Sequence, residues 1–176
     1  MKSVPENIVY IGLGSNKGNR LSFLNYSIAA LSKIENIRIL KVSSVYETKP
    51  FGIEDQNNFF NAAAKLATFL DPQSFLKIIK QLEEKLGRTE SKKWGPREID
   101  IDILLFNDLI FSNEFISLPH KGIIYRDFVL QPLCELEPGL VHPVLNQKLT
   151  EILAEIKEKY IINRIPEIID IPGQIN

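Results

Sequence analysis

The sequence predicts an α+β fold built on a βαββαβ core. Two segments carry apolar residues at spacings of three and four, the helical period, whereas four others are short runs rich in β-branched and aromatic residues, typical of strands. These segments follow in the order strand, helix, strand, strand, helix, strand. The order is the ferredoxin-like pattern, an antiparallel sheet with both helices on one face. The other face of the sheet is then left for a ligand or for covering loops.

The individual elements follow from apolar spacing and from turn residues. The predicted core strands are Ile8 to Leu13, Ile37 to Tyr46, Phe59 to Phe69 and Glu98 to Phe106. The predicted core helices are Asn19 to Lys33 and a second helix that starts at the N-cap Asp71 with Pro72 and stops at Gly87. The extra elements are a hairpin, with a strand over Leu109 to Ile116, and C-terminal helices over Asp127 to Glu135 and Leu149 to Tyr160. Residues 1–164 are predicted to form one domain and residues 165–176 an irregular, partly mobile tail.

Composition excludes several classes of protein. The chain has 176 residues, 24% of them charged, and a net charge of −1, which argues against bulk electrostatic binding to nucleic acid or to an anionic membrane. Its one cysteine, Cys134, rules out an internal disulfide and a multi-thiolate metal site. No apolar stretch approaches ~20 residues, and Pro5, Glu6 and Asn7 interrupt any signal-peptide run. We expect a cytoplasmic protein with no membrane or nucleic-acid partner.

Two aspartates within the last core strand form the main functional candidate. Side chains two apart on a strand share a face, so Asp100 and Asp102 face together, opposite the intervening isoleucines. Adjacent like charges repel unless a cation lies between them. Mg²⁺ binds through one or two carboxylates plus phosphate oxygens, and the upstream Arg88 and Arg97 could hold those phosphates. The pair therefore indicates a metal carrying a polyphosphate. The competing interpretation is a solvent-facing strand that happens to be acidic.

Other candidates are ambiguous by themselves. The loop between the two arginines is either a solvated basic turn or a phosphate-binding segment, and Trp94 within it is either a buried structural indole or an aromatic wall for a nucleotide. GLGSNKGN, residues 12–19, lacks the spacing of a phosphate loop and predicts a tight turn with a helix N-cap. His120 and His142 are most simply structural, and a zinc site is disfavoured. The phenylalanines are core residues or a slot for a flat ring, and Asn61 would read a heterocycle edge or satisfy backbone groups.

Five segments together resemble the 6-hydroxymethyl-7,8-dihydropterin pyrophosphokinases of folate biosynthesis. They are YIGLGSNKGNR, SSVYETKPFG, DQNNFFNAA, LGRTESKKWGPREIDIDILLF and LPHKGIIYRDFVLQPLCELEPGLVHP, in the family's order from residue 10 to residue 143. The resemblance implies an Mg²⁺-dependent transfer of the β,γ-diphosphate of ATP to the hydroxymethyl oxygen of the pterin, leaving AMP. It also implies a monomer, with ATP and the pterin as its small-molecule partners.

The resemblance further implies roles for single residues. Asp100 and Asp102 would bind two Mg²⁺ ions, and Arg88 and Arg97 would join them in catalysis. The implied ATP-binding residues are Lys80, Glu83, Trp94, Arg97, Ile103, Ser117, His120, Lys121 and Arg126. The implied pterin-binding residues are Thr48, Pro50, Phe51, Phe59, Asn61, Trp94 and Phe128, with the pterin stacked between Phe59 and Phe128.

The chain departs from the family pattern at a few of these positions. Glu90 and Phe115 stand where some relatives carry arginine, Lys80 replaces a polar amide, and Phe59 lacks a tyrosine hydroxyl. Lost arginines would weaken ATP binding, but the two aspartates are retained, and we expect an active enzyme. The alternatives are a pterin- or nucleotide-binding module without chemistry and another metal-dependent phosphoryl transferase. RNA binding through the sheet is disfavoured because the required aromatic and basic strand pattern is missing.

Overall fold

The computed structural model describes residues 6–89 and 95–173. Its strands are β1 Asn7–Ser15, β2 Ile37–Val42, β3 Tyr46–Thr48, β4 Phe59–Thr68, β5 Asp100–Phe106, β6 Phe111–Ser112, β7 Ser117–Leu118, β8 Val141–His142, β9 Gln147–Lys148 and β10 Ile161–Arg164. Its helices are α1 Arg20–Leu31, α2 Pro72–Lys85, α3 Asp127–Leu136 and α4 Leu149–Glu155, with a 3₁₀ turn at Ile123–Tyr125. In the described residues no helix is long and apolar enough to cross a membrane.

The main sheet has the predicted ferredoxin-like topology. Strand β1 lies between β5 and β4, and the long strand β4 pairs on its other edge with β2 and then with β3. All of these pairings are antiparallel. The predicted single strand Ile37 to Tyr46 is two strands, because the buried Ser43 and Ser44 separate β2 from β3. The βαββαβ core and the α+β class are confirmed.

Helices α1 and α2 cover one face of this sheet, and both begin at the predicted caps. The Asn19 side chain accepts from the amide of Ser22, and Asp71 accepts from the amides at the start of α2. Gly87 follows α2 at a φ of +88°, a conformation that glycine adopts without strain. The apolar faces of both helices pack against inward residues of β1, β4 and β5, forming the larger core cluster.

The second face of the sheet is covered by helices rather than left to loops, which corrects the sequence prediction. Leu130 and Leu133 of α3 and Leu149 of α4 pack with Tyr10 and Ala63 of the sheet in a second buried cluster. The end of α3 is bound to the sheet as well. Its Glu135 accepts hydrogen bonds from Ser44 and Tyr46. A cavity lies at the end of this face, near the start of α3.

Two predictions for the C-terminal half need correction. The strand expected over Leu109 to Ile116 is a two-residue β6, paired with β7 in a small hairpin. The helix expected over Leu149 to Tyr160 ends at Glu155. Strand β10 then joins the main sheet beside β3. Ile165 and Ile169, in the predicted tail, lie in the larger core cluster. Residues 165–173 contain no helix or strand, and the proposed division of the chain at residue 164 stays a prediction.

Candidate active site

The two aspartates of β5 lie on one face of the sheet, as the strand period predicts. Asp100 and Asp102 both line the cavity at the open end of the second face. The isoleucines between and beside them point the other way into the larger core, where Ile99 and Ile101 are fully buried. Strand β5 therefore presents a pair of carboxylates to the cavity from a rigid, well-packed backbone.

Both predicted catalytic arginines bind Asp100. Arg97 Nη1 donates to Asp100 Oδ2 at 2.6 Å, and Arg88 Nη1 lies 2.8 Å from Asp100 Oδ1. The three side chains are only 16–28% exposed, so these ion pairs are screened much less than surface pairs. Arg88 and Arg97 thus compensate one of the two charges on this strand face.

Glu83 lies beneath this group and fixes its geometry. Its carboxylate accepts from Arg88 Nη1, from the backbone amide of Ile101 at 2.6 Å and from Lys80 Nζ at 2.9 Å. The Ile101 amide belongs to the residue between the two aspartates, so Glu83 connects α2 to this part of β5. Burial raises the pKa of Glu83, an effect that Lys80, the Ile101 amide and Arg88 partly offset.

Asp102 is in a different electrostatic setting from Asp100. Burial, followed by the nearby charge of Asp100, raises the pKa of Asp102, and electrostatic interactions with His120, Lys80 and Arg126 act in the opposite direction. Burial lowers the pKa of His120, which favours the neutral imidazole. His120 Nδ1 accepts from the amide of Gly122 at 3.0 Å, which leaves Nε2 to carry the proton of the neutral ring. A cation bound near Asp102 would therefore offset the burial and the repulsion from Asp100 that disfavour its ionised form.

The first cavity brings together most residues predicted to bind the pterin. Its aromatic lining comes from three separate elements: the loop after β3, the start of β4 and the start of α3. Of the predicted residues, the cavity is lined by Thr48, Phe51, Phe59, Asn61, Arg97, Asp100, Asp102, His120, Arg126 and Phe128. Its lining thus combines aromatic faces with charged and hydrogen-bonding groups, as an orienting site for a flat polar ligand requires.

The amide of Asn61 is held in place at the cavity wall. Its Nδ2 donates to Thr48 Oγ1 at 2.8 Å across the β3–β4 pair. Opposite it, Gly14 of β1 leaves room for the side chain, because a Cβ there would lie 3.0 Å from Asn61 Oδ1 and 3.8 Å from the Phe59 ring. The glycines of the GLGS segment are therefore strand residues that allow a side chain to approach the sheet. The predicted tight turn begins only after Ser15.

A second cavity adjoins the first one and shares Asp102 and His120 with it. It lies between α2, β5 and the β6–β7 hairpin. Of the residues predicted to bind ATP, it is lined by Lys80, Ile103, Ser117, His120 and Lys121. Phe115, one of the departures from the family pattern, also lines it and is 74% exposed. Two cavities with different linings therefore meet at one carboxylate and one imidazole.

Not every predicted residue lines these two cavities. Pro50 is buried in the loop after β3, and Glu83 and Arg88 act from behind Asp100. Arg126, predicted for ATP, lies over the Phe51 ring at 4.5 Å and lines the first cavity, not the second. Trp94 lies outside the described residues, as does Glu90.

Sequence reasoning missed several residues that line the first cavity or hold its lining residues in place. Lys49 and Val129 are next to predicted residues, so their positions in the chain were a usable signal. Asn16 is 1% exposed and joins two loops, because its side chain donates to Gln56 Oε1 and accepts from the Arg97 amide. Nothing in the local sequence separates such an asparagine from an ordinary turn residue.

The carboxylates fit a hard divalent cation that takes most of its ligands from elsewhere. Within residues 6–89 and 95–173, no group of three or more His, Cys, Asp or Glu could hold a metal ion. Two carboxylates on one face, one of them desolvated, instead suit a hard divalent cation such as Mg²⁺ that would bring phosphate oxygens and water as its other ligands.

Comparisons with known proteins identify the family. The profile of 7,8-dihydro-6-hydroxymethylpterin-pyrophosphokinase (HPPK) matches residues 10–138. The chain belongs to this family. A 2-amino-4-hydroxy-6-hydroxymethyldihydropteridine pyrophosphokinase of Aquifex aeolicus is 45% identical over 148 residues, 84% of this chain and 91% of that protein. The protein of the same name in Bacillus subtilis is 45% identical over 130 residues, covering 74% and 78% of the two chains.

Solved structures support the HPPK fold. The Plasmodium falciparum HPPK-DHPS wild type with pteroate superposes with a TM-score of 0.69 over 88% of this chain at 21% sequence identity. The chain spans less than half of that longer protein, 43% of its length. At this identity the likeness concerns the fold alone, and it agrees with the ferredoxin-like topology of the sheet.

Proposed function

We propose that the chain transfers the β,γ-diphosphate of ATP to the hydroxymethyl group of 6-hydroxymethyl-7,8-dihydropterin, in folate biosynthesis. The observation that carries the proposal is the meeting of two unlike cavities at Asp102 and His120 in a chain of the HPPK family. One cavity suits a flat heterocycle and the other a nucleotide. A reaction between two substrates requires this adjacency, because the attacking oxygen must lie within ~3–3.5 Å of the phosphorus that it attacks.

The pterin is assigned to the first cavity. Phe59 and Phe128 supply aromatic faces there, and the Asn61 amide, held by Thr48, supplies an edge of donors and acceptors. A polar heterocycle would stack on the rings and pair with the amide, and it would leave its hydroxymethyl group toward the aspartates. Trp94 and the backbone around Pro50 and Phe51 are further proposed pterin contacts.

ATP is assigned to the second cavity and to the seam between the two. Lys80, Lys121 and His120 surround a space that Ser117 and Ile103 complete. The charges of the two lysines suit a triphosphate, and the apolar residues of β5 suit the adenine base. Arg97 and Arg126 reach the seam from the first cavity, next to the two aspartates. Glu83 and Trp94 remain proposed ATP-site residues, Glu83 through its hold on Lys80 and Arg88.

Asp100 and Asp102 are the proposed ligands of two Mg²⁺ ions. When bound, such ions would neutralise the triphosphate and favour in-line attack. The chain itself supplies the rest. Glu83 holds the Arg88 side chain and the β5 backbone at Ile101 in place. Arg88 and Arg97 supply guanidinium groups for the phosphates.

The chemistry balances as one displacement. The hydroxymethyl oxygen forms a bond to the β-phosphorus, and the bond between that phosphorus and the oxygen bridging it to the α-phosphate breaks. AMP leaves with the electron pair of the broken bond on its phosphate oxygen, and the hydroxyl proton is released to solvent. The cavities must exclude water, which otherwise competes for the diphosphate.

We also infer a cytoplasmic, monomeric enzyme. The support for the compartment is the lone Cys134, a free and buried thiol that needs no oxidising environment. The support for the monomer is the resemblance to the family.

Product analysis tests the function directly. Purified protein is incubated with ATP, Mg²⁺ and the hydroxymethyl pterin, and nucleotides and pterins are separated by chromatography. We expect AMP and pterin diphosphate in equal amounts and their loss in Asp100→Ala. The matched control is Asp108→Ala, an exposed aspartate in the turn after β5. ADP as the product would indicate single phosphoryl transfer. Pterin binding without nucleotide turnover would favour the non-catalytic module.

A further inference from the structure

Tyr160 completes an aromatic cluster at the side of the first cavity. Its ring lies 5.4 Å from the Phe51 ring and 5.8 Å from the Phe128 ring, and these two rings are 6.3 Å apart. The three rings are tilted or edge-on to one another, the arrangements that aromatic pairs prefer. Tyr160 does not itself line the cavity, whereas Phe51 and Phe128 do. Tyr160 therefore contacts the cavity wall from behind.

The backbone of Tyr160 is bonded to both sides of the cavity. Its carbonyl accepts from the amide of Lys49, two residues before Phe51, at 2.9 Å. Its amide donates to Asp127 at 3.0 Å, and the Ile161 amide donates to the same carboxylate at 3.2 Å. Asp127 is 2% exposed and precedes Phe128 in the first turn of α3. One residue of the C-terminal segment thus connects the loop after β3 to the start of α3.

Strand pairing explains why the segment reaches this place. Strand β10 pairs with β3, with Ile161 opposite Thr48. Thr48 is the last residue before the loop that carries Phe51, and it holds Asn61. The C-terminal strand consequently fixes the end of β3 and places the Tyr160 ring against the loop.

We propose that Tyr160 is a positioning residue for the pterin acceptor, because its ring sets the places of Phe51 and Phe128 in the wall of the first cavity. The inference rests on the proposed function, which assigns the pterin to that cavity. Loss of two ring contacts should let both phenylalanines move and weaken acceptor binding. ATP binds around the second cavity, which Tyr160 does not reach.

The test uses side-chain variants, since the tethering hydrogen bonds of Tyr160 are made by its main chain. Tyr160→Leu removes the ring, and Tyr160→Phe keeps it while losing only the hydroxyl bond to Glu158. Tyr26→Leu is the matched control, a 59% exposed tyrosine on α1. Pterin affinity is measured by fluorescence titration, and KM for each substrate, kcat and Tm are measured in parallel.

We expect Tyr160→Leu to raise the Kd and KM for the pterin about 5- to 20-fold. Its KM for ATP should follow Tyr26→Leu, and Tyr160→Phe should restore pterin binding to within about twofold of the wild type. In a Phe51→Ala background the Tyr160→Leu effect should shrink, because Tyr160 acts through that ring. If Tyr160→Leu does not fold, Tyr160→Met repeats the test.

Three results would overturn the proposal. They are unchanged pterin affinity in Tyr160→Leu, an equal rise in the KM for ATP, and a defect in Tyr160→Phe as large as that in Tyr160→Leu. Failure of the proposed function is a separate result. It would show as absence of AMP formation by the wild type, whereas the binding titration would still report on Tyr160.

Discussion

Replacing Glu83 separates what this carboxylate does for stability from what it does for the geometry of the site. Glu83 is 2% exposed and has three partners: the Ile101 amide, Arg88 and Lys80. Glu83→Ala removes the acceptor from all three. Glu83→Gln keeps an oxygen for the Ile101 amide and removes only the charge. Glu84→Gln, at the exposed neighbour on α2, is the matched control.

The expected losses follow from these contacts. An unsatisfied buried amide costs about 1–3 kcal/mol, and a lost charge-assisted bond to Arg88 costs about 1.5–3 kcal/mol. Lys80 adds less than about 1 kcal/mol, because its side chain is 46% exposed. We expect Glu83→Ala to lower the free energy of unfolding by roughly 3–5 kcal/mol. That loss corresponds to about 6–20 °C in Tm for a chain of this size.

Glu83→Gln should stay within about 1 kcal/mol of the wild type, because two effects oppose each other. The lost ion pairs destabilise the fold. Burial, however, raises the pKa of Glu83, which shows that its charge carries a desolvation penalty, and the neutral glutamine avoids that penalty. Because the pKa of Glu83 is higher in the folded protein, protonated Glu83 stabilises the folded state. This stabilisation is complete below the ordinary carboxyl pKa and is lost as the pH rises through the raised pKa. Glutamine does not titrate, so the stability of Glu83→Gln relative to the wild type should improve as the pH rises from the ordinary carboxyl pKa through the raised pKa of Glu83.

Urea unfolding of the three variants over a pH series measures these terms, and turnover is assayed alongside. Both Glu83 variants should lose activity, by up to about 100-fold, because Arg88 and Asp100 are no longer held in place. Equal destabilisation by Gln and Ala at neutral pH would refute the reasoning, since the charge and not the Ile101 anchor would then carry the stability. A loss below about 1 kcal/mol in Glu83→Ala would show that the contacts do not hold β5.

Three further predictions concern other parts of the fold. Gly14→Ala should raise the KM for the pterin in steady-state kinetics and lower stability by about 1–3 kcal/mol, because its Cβ would lie 3.0 Å from Asn61 Oδ1. Asp71→Ala should cost about 1 kcal/mol in urea unfolding by removing the cap of α2. Hydrogen bonds from Ser74 lower the pKa of Asp71, so this difference should disappear as the pH falls through that lowered pKa. Burial raises the pKa of the Cys134 thiol to about 11, so at pH 8 its reaction with a thiol reagent should be roughly 100-fold slower than that of a free cysteine.

Features with a local cause were predictable from the sequence. The shared face of Asp100 and Asp102 follows from the period of a strand, and the start of α2 follows from Asp71 and Pro72. Both features depend on a few neighbouring residues and on sterics that are the same in every protein. The same reasoning gave the order of the core strands, because short connections leave few ways to arrange them.

Features that depend on distant contacts were not predictable. The apolar spacing of Leu149 to Tyr160 suits a helix, yet α4 ends at Glu155. The buried carboxylate of Asp127 takes the amides of Tyr160 and Ile161, and the edge of β3 takes the strand that follows. These partners are more than 30 residues away along the chain, and they outweigh a weak local preference. The same holds for the irregular pairing of β5 with β1, where the register shifts beside Ile103.

Arg126 shows why a residue at the seam of two cavities resists assignment to one substrate. The family resemblance gives it to ATP, whereas its guanidinium lies over the Phe51 ring and lines the proposed pterin cavity. The two assignments agree if the transferred diphosphate passes this point. Arg126 lines the same cavity as Asp100 and Asp102, and its charge counteracts the raised pKa of Asp102. A cation held on an aromatic face beside both carboxylates can contact phosphate oxygens while its stem borders the acceptor. Its effect on turnover should therefore exceed its effect on the binding of either substrate alone.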